Sequence, residues 1–265
     1  MSKPNRTGKK KLTPARDTSR TPDTGHIALP RGGSAHFGVS EAIGSRIVRG
    51  DYPPGSVLPN EQKWASDFKV SRSVIRESIK ILMAKSLLTS RPRVGSRVEP
   101  RENWNLLDRD VLSWYTAGPD RGKILRALQQ FRHIIEPEAA ALAAQHRTPE
   151  QMNAISAACH LMATAPTLAE RSAADVRFHL EILRASANEL LVPLGVLIDS
   201  ALKNLFVIIT VEAGDIHYAQ DLHNRIERAI LRQKPNAARL AVRRLLSNSD
   251  GMIEKWDRKP RKAGK

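Results

Sequence analysis

The chain has 265 residues and a formal net charge of +16 at pH 7. That length accommodates two modest domains, and so large a positive excess points to a polyanionic partner, nucleic acid before a membrane surface. No run of about 18 apolar residues occurs, which excludes a bilayer-spanning helix, and the lone Cys159 excludes an intramolecular disulfide and fits a reducing cytoplasm.

Residues 1–36 carry Lys3, Arg6, Lys9, Lys10, Lys11, Arg16 and Arg20 among Thr, Pro and Gly, without hydrophobic periodicity. This composition predicts a disordered basic tail, either adding non-specific phosphate contacts or merely solubilising the chain. It lacks the apolar core of a secretory signal, so export is not indicated.

Residues 37–100 read as one small domain. Val39, Ile43, Ile47 and Val48 recur at helical spacing and predict a first helix that ends at Gly50. The adjacent prolines of Tyr52-Pro53-Pro54-Gly55 force a loop. Asn60 caps a second helix over residues 60–68, and Phe68-Lys69-Val70 makes a short turn. Ser71 then caps a third helix, in which Val74, Ile75, Ser78, Ile79, Leu82 and Met83 share one face. Ser71, Arg72, Ser73, Arg76 and Lys80 fall on the other, cationic face. Two short strands, residues 87–90 and 96–98, flank the basic, glycine-bearing tip Arg91-Pro92-Arg93-Val94-Gly95. A lone amphipathic helix with a solvated basic face is the plainer reading. The supporting helix and the basic wing argue instead for a winged helix-turn-helix, whose third helix offers its first turn to the major groove. The candidate DNA-contacting residues are Ser71, Arg72, Ser73 and Arg76 on that helix and Arg91, Arg93 and Gly95 on the wing.

Residues 101–107 form a linker in which Trp104 and Leu107 are expected to pack. Residues 108–256 show almost only helical signals, broken at Gly118-Pro119, Thr148-Pro149, Ala165-Pro166, Asn188, Gly214 and Lys234-Pro235. The fold class is therefore mostly α: a winged helix-turn-helix followed by an all-α bundle of six or seven helices, and then a short basic tail over residues 257–265. Such a bundle can enclose a ligand site. Asp175 and His179, four apart on one helix face, can share a divalent metal, and His223 can bring a third ligand from another helix. Arg132 lies one turn before Glu136, either as a bidentate receptor for a carboxylate or as a structural ion pair. Cys159, in an alanine-rich stretch, reads as a small core residue.

The motifs PGSVLPNE (residues 54–61), VSRSVIRE (residues 70–77) and RPRVG (residues 91–95) resemble the operator-binding domain of GntR-type bacterial regulators. Gln62 departs from that pattern, since the family often carries a DNA-touching arginine there. The segments FRHIIEPEAAALAA, ADVRFHLEILRASAN and LHNRIERAILRQKPNAARLAVRRLL resemble the all-helical FCD effector domain of the FadR-type branch. That resemblance implies a homodimer and a zinc, nickel or manganese ion held by an aspartate, a histidine four later, and two further histidines twenty-two apart. Asp175, His179 and His223 match, whereas Leu245 stands at the fourth position. A three-ligand site with open positions, a weakened site, and no metal at all are then the alternatives.

The run Trp104 to Asp108, with the wing before it, is similar to regulators of aldonate catabolism, notably those answering to galactonate. The resemblance implies a double-stranded DNA operator and a small carboxylate effector, with Arg132 receiving the carboxylate and Asn204 meeting sugar hydroxyls. Two rival readings are a metal-dependent enzyme built on Asp175, His179 and His223, and a sequence-neutral architectural DNA binder. Against the enzyme stands the absence of a general base or nucleophile constellation beside those residues.

Overall fold

Helix α1 (Ala35–Arg49) buries Val39, Ile43, Ile47 and Val48 and stops at Gly50, whose φ of 92° is a left-handed cap that suits glycine. It starts two residues before the predicted Phe37 and so takes in the last two residues of the predicted tail. The structure, a computed structural model, describes residues 34–91, 95–212 and 216–257; Arg93, Gly214 and most of both predicted tails lie outside the described residues.

Helix α2 (Glu61–Phe68) is capped by Asn60, whose side chain accepts from the Lys63 amide at 2.9 Å. Helix α3 (Arg72–Ala84) is capped by Ser71, which accepts from the Val74 amide at 3.3 Å. Trp64 and Phe68 of α2 join Ile75, Ile79 and Leu82 of α3 against α1 in one buried core. Ser78 sits inside this apolar stripe because its hydroxyl has acceptors, the carbonyls of Val74 at 2.8 Å and His36 at 2.9 Å. Met83, expected on the same face, stands at its margin and is exposed.

The wing is an antiparallel hairpin of β1 (Leu88–Arg91) and β2 (Gly95–Val98), in register Leu88 to Val98 and Arg91 to Gly95. The proline loop returns beside it: the Leu58 amide donates to Ser96 O, and the Val98 amide donates to Ser56 O. Trp104, after a 3-10 turn at Arg101–Asn103, is buried in this same core and donates its indole N–H to Glu99 O at 2.9 Å. Leu107 does not pack as expected. It is 46% exposed, because its amide is drawn to Asn105 Oδ1 in the turn leading to the next helix.

Helix α4 (Arg109–Ala117), capped by Asp108, joins the two halves. Val111 and Trp114 belong to the core around α1, while Leu112 packs with Leu125, Leu128 and Ala201 of the bundle. The seat for Trp114 is Gly44: a Cβ there would lie 2.2 Å from the indole ring. Lys85, at the end of α3, places its ammonium 2.8 Å from Asp108 and 2.8 Å from Asp110. The recognition helix and the bundle are thus fastened to one short element.

The bundle continues with α5 (Arg121–His146), α6 (Pro149–Thr164), α7 (Leu168–Ala185), α8 (Gly195–Glu212), α9 (Ile216–Leu231) and α10 (Pro235–Asp257). With α4 these make seven helices among the described residues, the upper of the predicted counts. Thr148 and Thr167 open α6 and α7 with reciprocal capping boxes to Gln151 and Glu170. Ala139, Ala140, Ala143 and Ala144 let α5 run deep in the bundle, against Phe178, Ile182, Ile226 and Leu246. Each large aliphatic buried there contributes about 1.5–3 kcal/mol. No helix among the described residues is long and apolar enough to cross a membrane.

Candidate nucleic-acid interface and effector site

Residues Ser71, Arg72, Ser73 and Arg76 emerge together at the exposed start of α3, where the Ser71 cap fixes the direction of the first turn. Arg91 and Gly95 face each other across the end of the hairpin, and the φ of 89° at Gly95 explains the glycine. Between α2, α3 and the wing lies a cleft of about 940 Å³ bordered by Asn60, Glu61, Gln62, Ile79, Ser90 and Arg91. Gln62 therefore borders the groove without the charge that the family pattern puts there. Among the described residues Arg72 and Arg91 have no carboxylate partner. Lys80 pairs with Glu77 at 2.9 Å, and this contact holds the Glu77 carboxyl below its usual range.

Sequence reasoning missed Glu61. Its carboxylate lies 2.8 Å from Arg76 Nε and reaches across from α2 to the recognition helix. Fifteen positions separate the two, so no local spacing rule signals the pair.

Inside the bundle five residues converge: Arg132, Glu136, Asp175, His179 and His223. Glu136, on α5, is the hub: Oε1 lies 2.6 Å from Arg132 Nε and Oε2 lies 2.9 Å from His179 Nδ1. Burial pushes the Glu136 carboxyl up, but Arg132 and His179 together outweigh it and bring it down to about 2. Arg132 is 1% exposed, with its NH1 also 3.5 Å from Gln129 Oε1. Of the two arrangements open to Arg132, the structure shows the ion pair with Glu136.

Asp175 and His179 come from α7 and His223 from α9, and one ligand atom of each lies within 4.8 Å of the others. Asp175 Oδ1 is 2.9 Å from His223 Nε2 and 3.7 Å from His179 Nε2. Burial raises the Asp175 carboxyl, and His223, His179 and Arg132 overcome it and leave it lowered. The two imidazoles stand edge to face with centroids 5.6 Å apart, and each also makes a T-shaped contact with the buried Phe178 ring.

A divalent ion fits these residues. Glu136 occupies His179 Nδ1, which leaves Nε2 turned to the cluster, buried without a hydrogen-bond partner and 3.7 Å from Asp175 Oδ1. One carboxylate and two imidazoles suit zinc, nickel or manganese. Leu245 is 4% exposed and belongs to the apolar core, so α10 supplies no ligand at that position.

Asn204 is elsewhere. It lines a cleft between α4 and α8 that Arg132, Asp175, His179 and His223 do not line, and its amide nitrogen donates to Ser200 O at 2.9 Å. The structure thus does not bring Asn204 to the cluster. Cys159 is a core residue, its thiol pushed up to about 11 by burial and the Glu227 charge.

A winged domain with an exposed cationic helix start, joined to a helical bundle around a buried acid and two histidines, defines the class: a DNA-binding regulator with a helical sensor domain. The chain belongs to the gntR family of bacterial regulatory proteins, whose model matches residues 38–98, and residues 127–248 match the FCD domain. It is a transcription regulator and not an enzyme. It is 34% identical to the HTH-type transcriptional regulator YieP of Escherichia coli K12 over 218 residues, covering 80% of this chain and 92% of that one. The galactonate operon transcriptional repressor of the same organism is 32% identical over 210 residues, covering 78% of this chain and 91% of that one. Among solved structures, that of Lar, which controls expression of the Listeria monocytogenes agr system, shares the fold. Its TM-score is 0.58 at 17% identity, over 85% of this chain and 99% of that one.

Proposed function

We propose that this protein is a homodimeric, cytoplasmic repressor of a sugar-acid catabolic operon, released from its operator by a small aldonate of the galactonate type. The observation that carries the sensor half is the half-buried Asp175 with the buried His179 and His223, beside the Arg132–Glu136 pair, in a chain similar to a galactonate operon repressor. Residues 37–100 would read DNA and residues 108–256 would sense the effector, with residues 101–107 between them.

In this reading Arg72 and Arg76 reach base edges or adjacent phosphates in the major groove, while Ser71 and Ser73 contact phosphate. Arg91, Arg93 and Gly95 follow the neighbouring backbone from the wing. Glu61 holds Arg76 out from the helix, so the guanidinium is oriented before it meets a base. Asp175, His179 and His223 would hold a zinc, nickel or manganese ion, which supplies open coordination positions for a carboxylate and a neighbouring hydroxyl. Glu136 fixes the ring of His179, and the effector carboxylate would take the Arg132 NH1 that Gln129 Oε1 now accepts from at 3.5 Å.

Fluorescence anisotropy of duplexes from the neighbourhood of the gene, at fixed physiological salt, tests this. One duplex is expected to be bound well above random DNA and released by one aldonate at micromolar to millimolar concentration. Equal binding to all duplexes and no release by any acid would overturn the sensor reading in favour of an architectural binder.

A further inference from the structure

Helix α4 faces two ways. Val111 and Trp114 point to α1, whereas Arg109, Ser113 and Thr116, about one turn apart, point to α8. The opposing stripe on α8 is Ser200, Lys203 and Asn204, again at helical spacing. Two facing helix stripes ordinarily meet through apolar side chains. Here Leu112 and Ala201 are buried in one small cluster, and the polar stripes stand apart across a cleft of about 560 Å³. That volume lies in the range of small-molecule sites.

The chemistry of the cleft is specific. Three cations, Arg109, Lys203 and Arg121 from the first turn of α5, line it with two carboxylates, Asp110 and Asp199. Both carboxylates already have a lysine: Asp110 has Lys85 at 2.8 Å and Asp199 has Lys203 at 2.9 Å. Arg109 has no carboxylate partner among the described residues, so the cleft keeps a positive excess centred on it. Ser113, Ser200 and the carbonyl of Asn204 offer hydrogen bonds to hydroxyl groups. The Arg109 guanidinium suits a dianionic phosphate, since it presents paired donors to its oxygens, and the charge of Arg121 lies along the same cleft.

We propose that this cleft is a second ligand site, separate from the buried acid and histidines, which takes a small phosphorylated sugar. Its position gives it a route to DNA. A ligand spanning α4 and α8 grips the segment Asp108–Asp110, and Lys85 ties that segment to the end of the recognition helix. Occupancy therefore biases how the winged domain is held against the bundle. The binding itself does not depend on the operator or on the aldonate reading.

Calorimetric titration of the full chain with glucose 6-phosphate tests the site, with galactonate and inorganic phosphate as comparison ligands. Glucose 6-phosphate is expected to bind the wild type and His223→Ala alike, and at least tenfold more weakly to Arg109→Gln and to Arg109→Gln/Asn204→Leu. Arg109 is exposed, so the single variant tests the site even if the double one folds poorly. No binding to the wild type, or unchanged binding to Arg109→Gln, overturns the proposal, and so does a loss confined to His223→Ala. Inorganic phosphate binding as tightly would reduce the cleft to an anion site, and galactonate binding there as tightly would remove the phosphate ester from the assignment.

Discussion

At the scale of single residues, the pairs that matter most join groups distant in sequence or sealed from water. Arg132 and Glu136 are 1% and 4% exposed in their side chains, so removing one partner strands a buried charge. Glu136→Gln is expected to cost about 3–5 kcal/mol of stability in urea unfolding of metal-free protein, and Arg132→Met/Glu136→Leu to recover much of it. The pair itself was readable, because four residues make one helical turn. That Glu136 also holds His179 was not, since the two lie on different helices. Arg76 and Glu61 follow the same rule. Arg76→Ala is expected to lose about 1–3 kcal/mol of operator binding relative to random DNA, measured by anisotropy. Glu61→Gln is expected to keep affinity for random DNA or raise it while narrowing the preference for operator; equal losses on both duplexes would show that Glu61 does not orient Arg76.

Among elements, α4 decides how the two halves are joined. Gly44→Ala forces the indole of Trp114 to move, and overpacking of this kind costs about 1–3 kcal/mol. Gly44→Ala/Trp114→Leu is expected to regain most of that loss in thermal unfolding. Lys85 makes the same junction sensitive to pH. Burial lowers its ammonium pKa, but hydrogen bonds to Asp108 and Asp110 outweigh this and leave it raised. A raised lysine contributes fully below its unfolded value, about 10.4, and the contribution fades as pH climbs through the folded value. Wild type is therefore expected to lose stability above about pH 10.4 more steeply than Lys85→Met. The caps at Asn60 and Ser71, the stop at Gly50 and the proline breaks of the bundle were legible because each acts within four residues. The double allegiance of α4 was not, because its sequence shows amphipathicity without saying which core each side meets.

For the whole molecule, metal and salt give the broadest tests. Zinc, nickel or manganese at about 100 times its dissociation constant is expected to stabilise chelator-treated protein by about 2.7 kcal/mol. His223→Ala should show no such shift; a shift that survives the substitution places the ion elsewhere. On operator DNA the logarithm of affinity is expected to fall linearly with the logarithm of salt, and Arg91→Ala to reduce the slope by about 1. The seating of Trp114 against Gly44 also bears on building hybrid sensors. An exchange of effector domains cut just after the wing would import a foreign α4 and lose the fit between that indole and the bare backbone of α1. A cut at Gly118, after α4, keeps the fit and leaves Leu112 as the contact to be matched on the incoming bundle. Hybrids joined there are the ones that should inherit a working operator grip from one parent and a working sensor from the other.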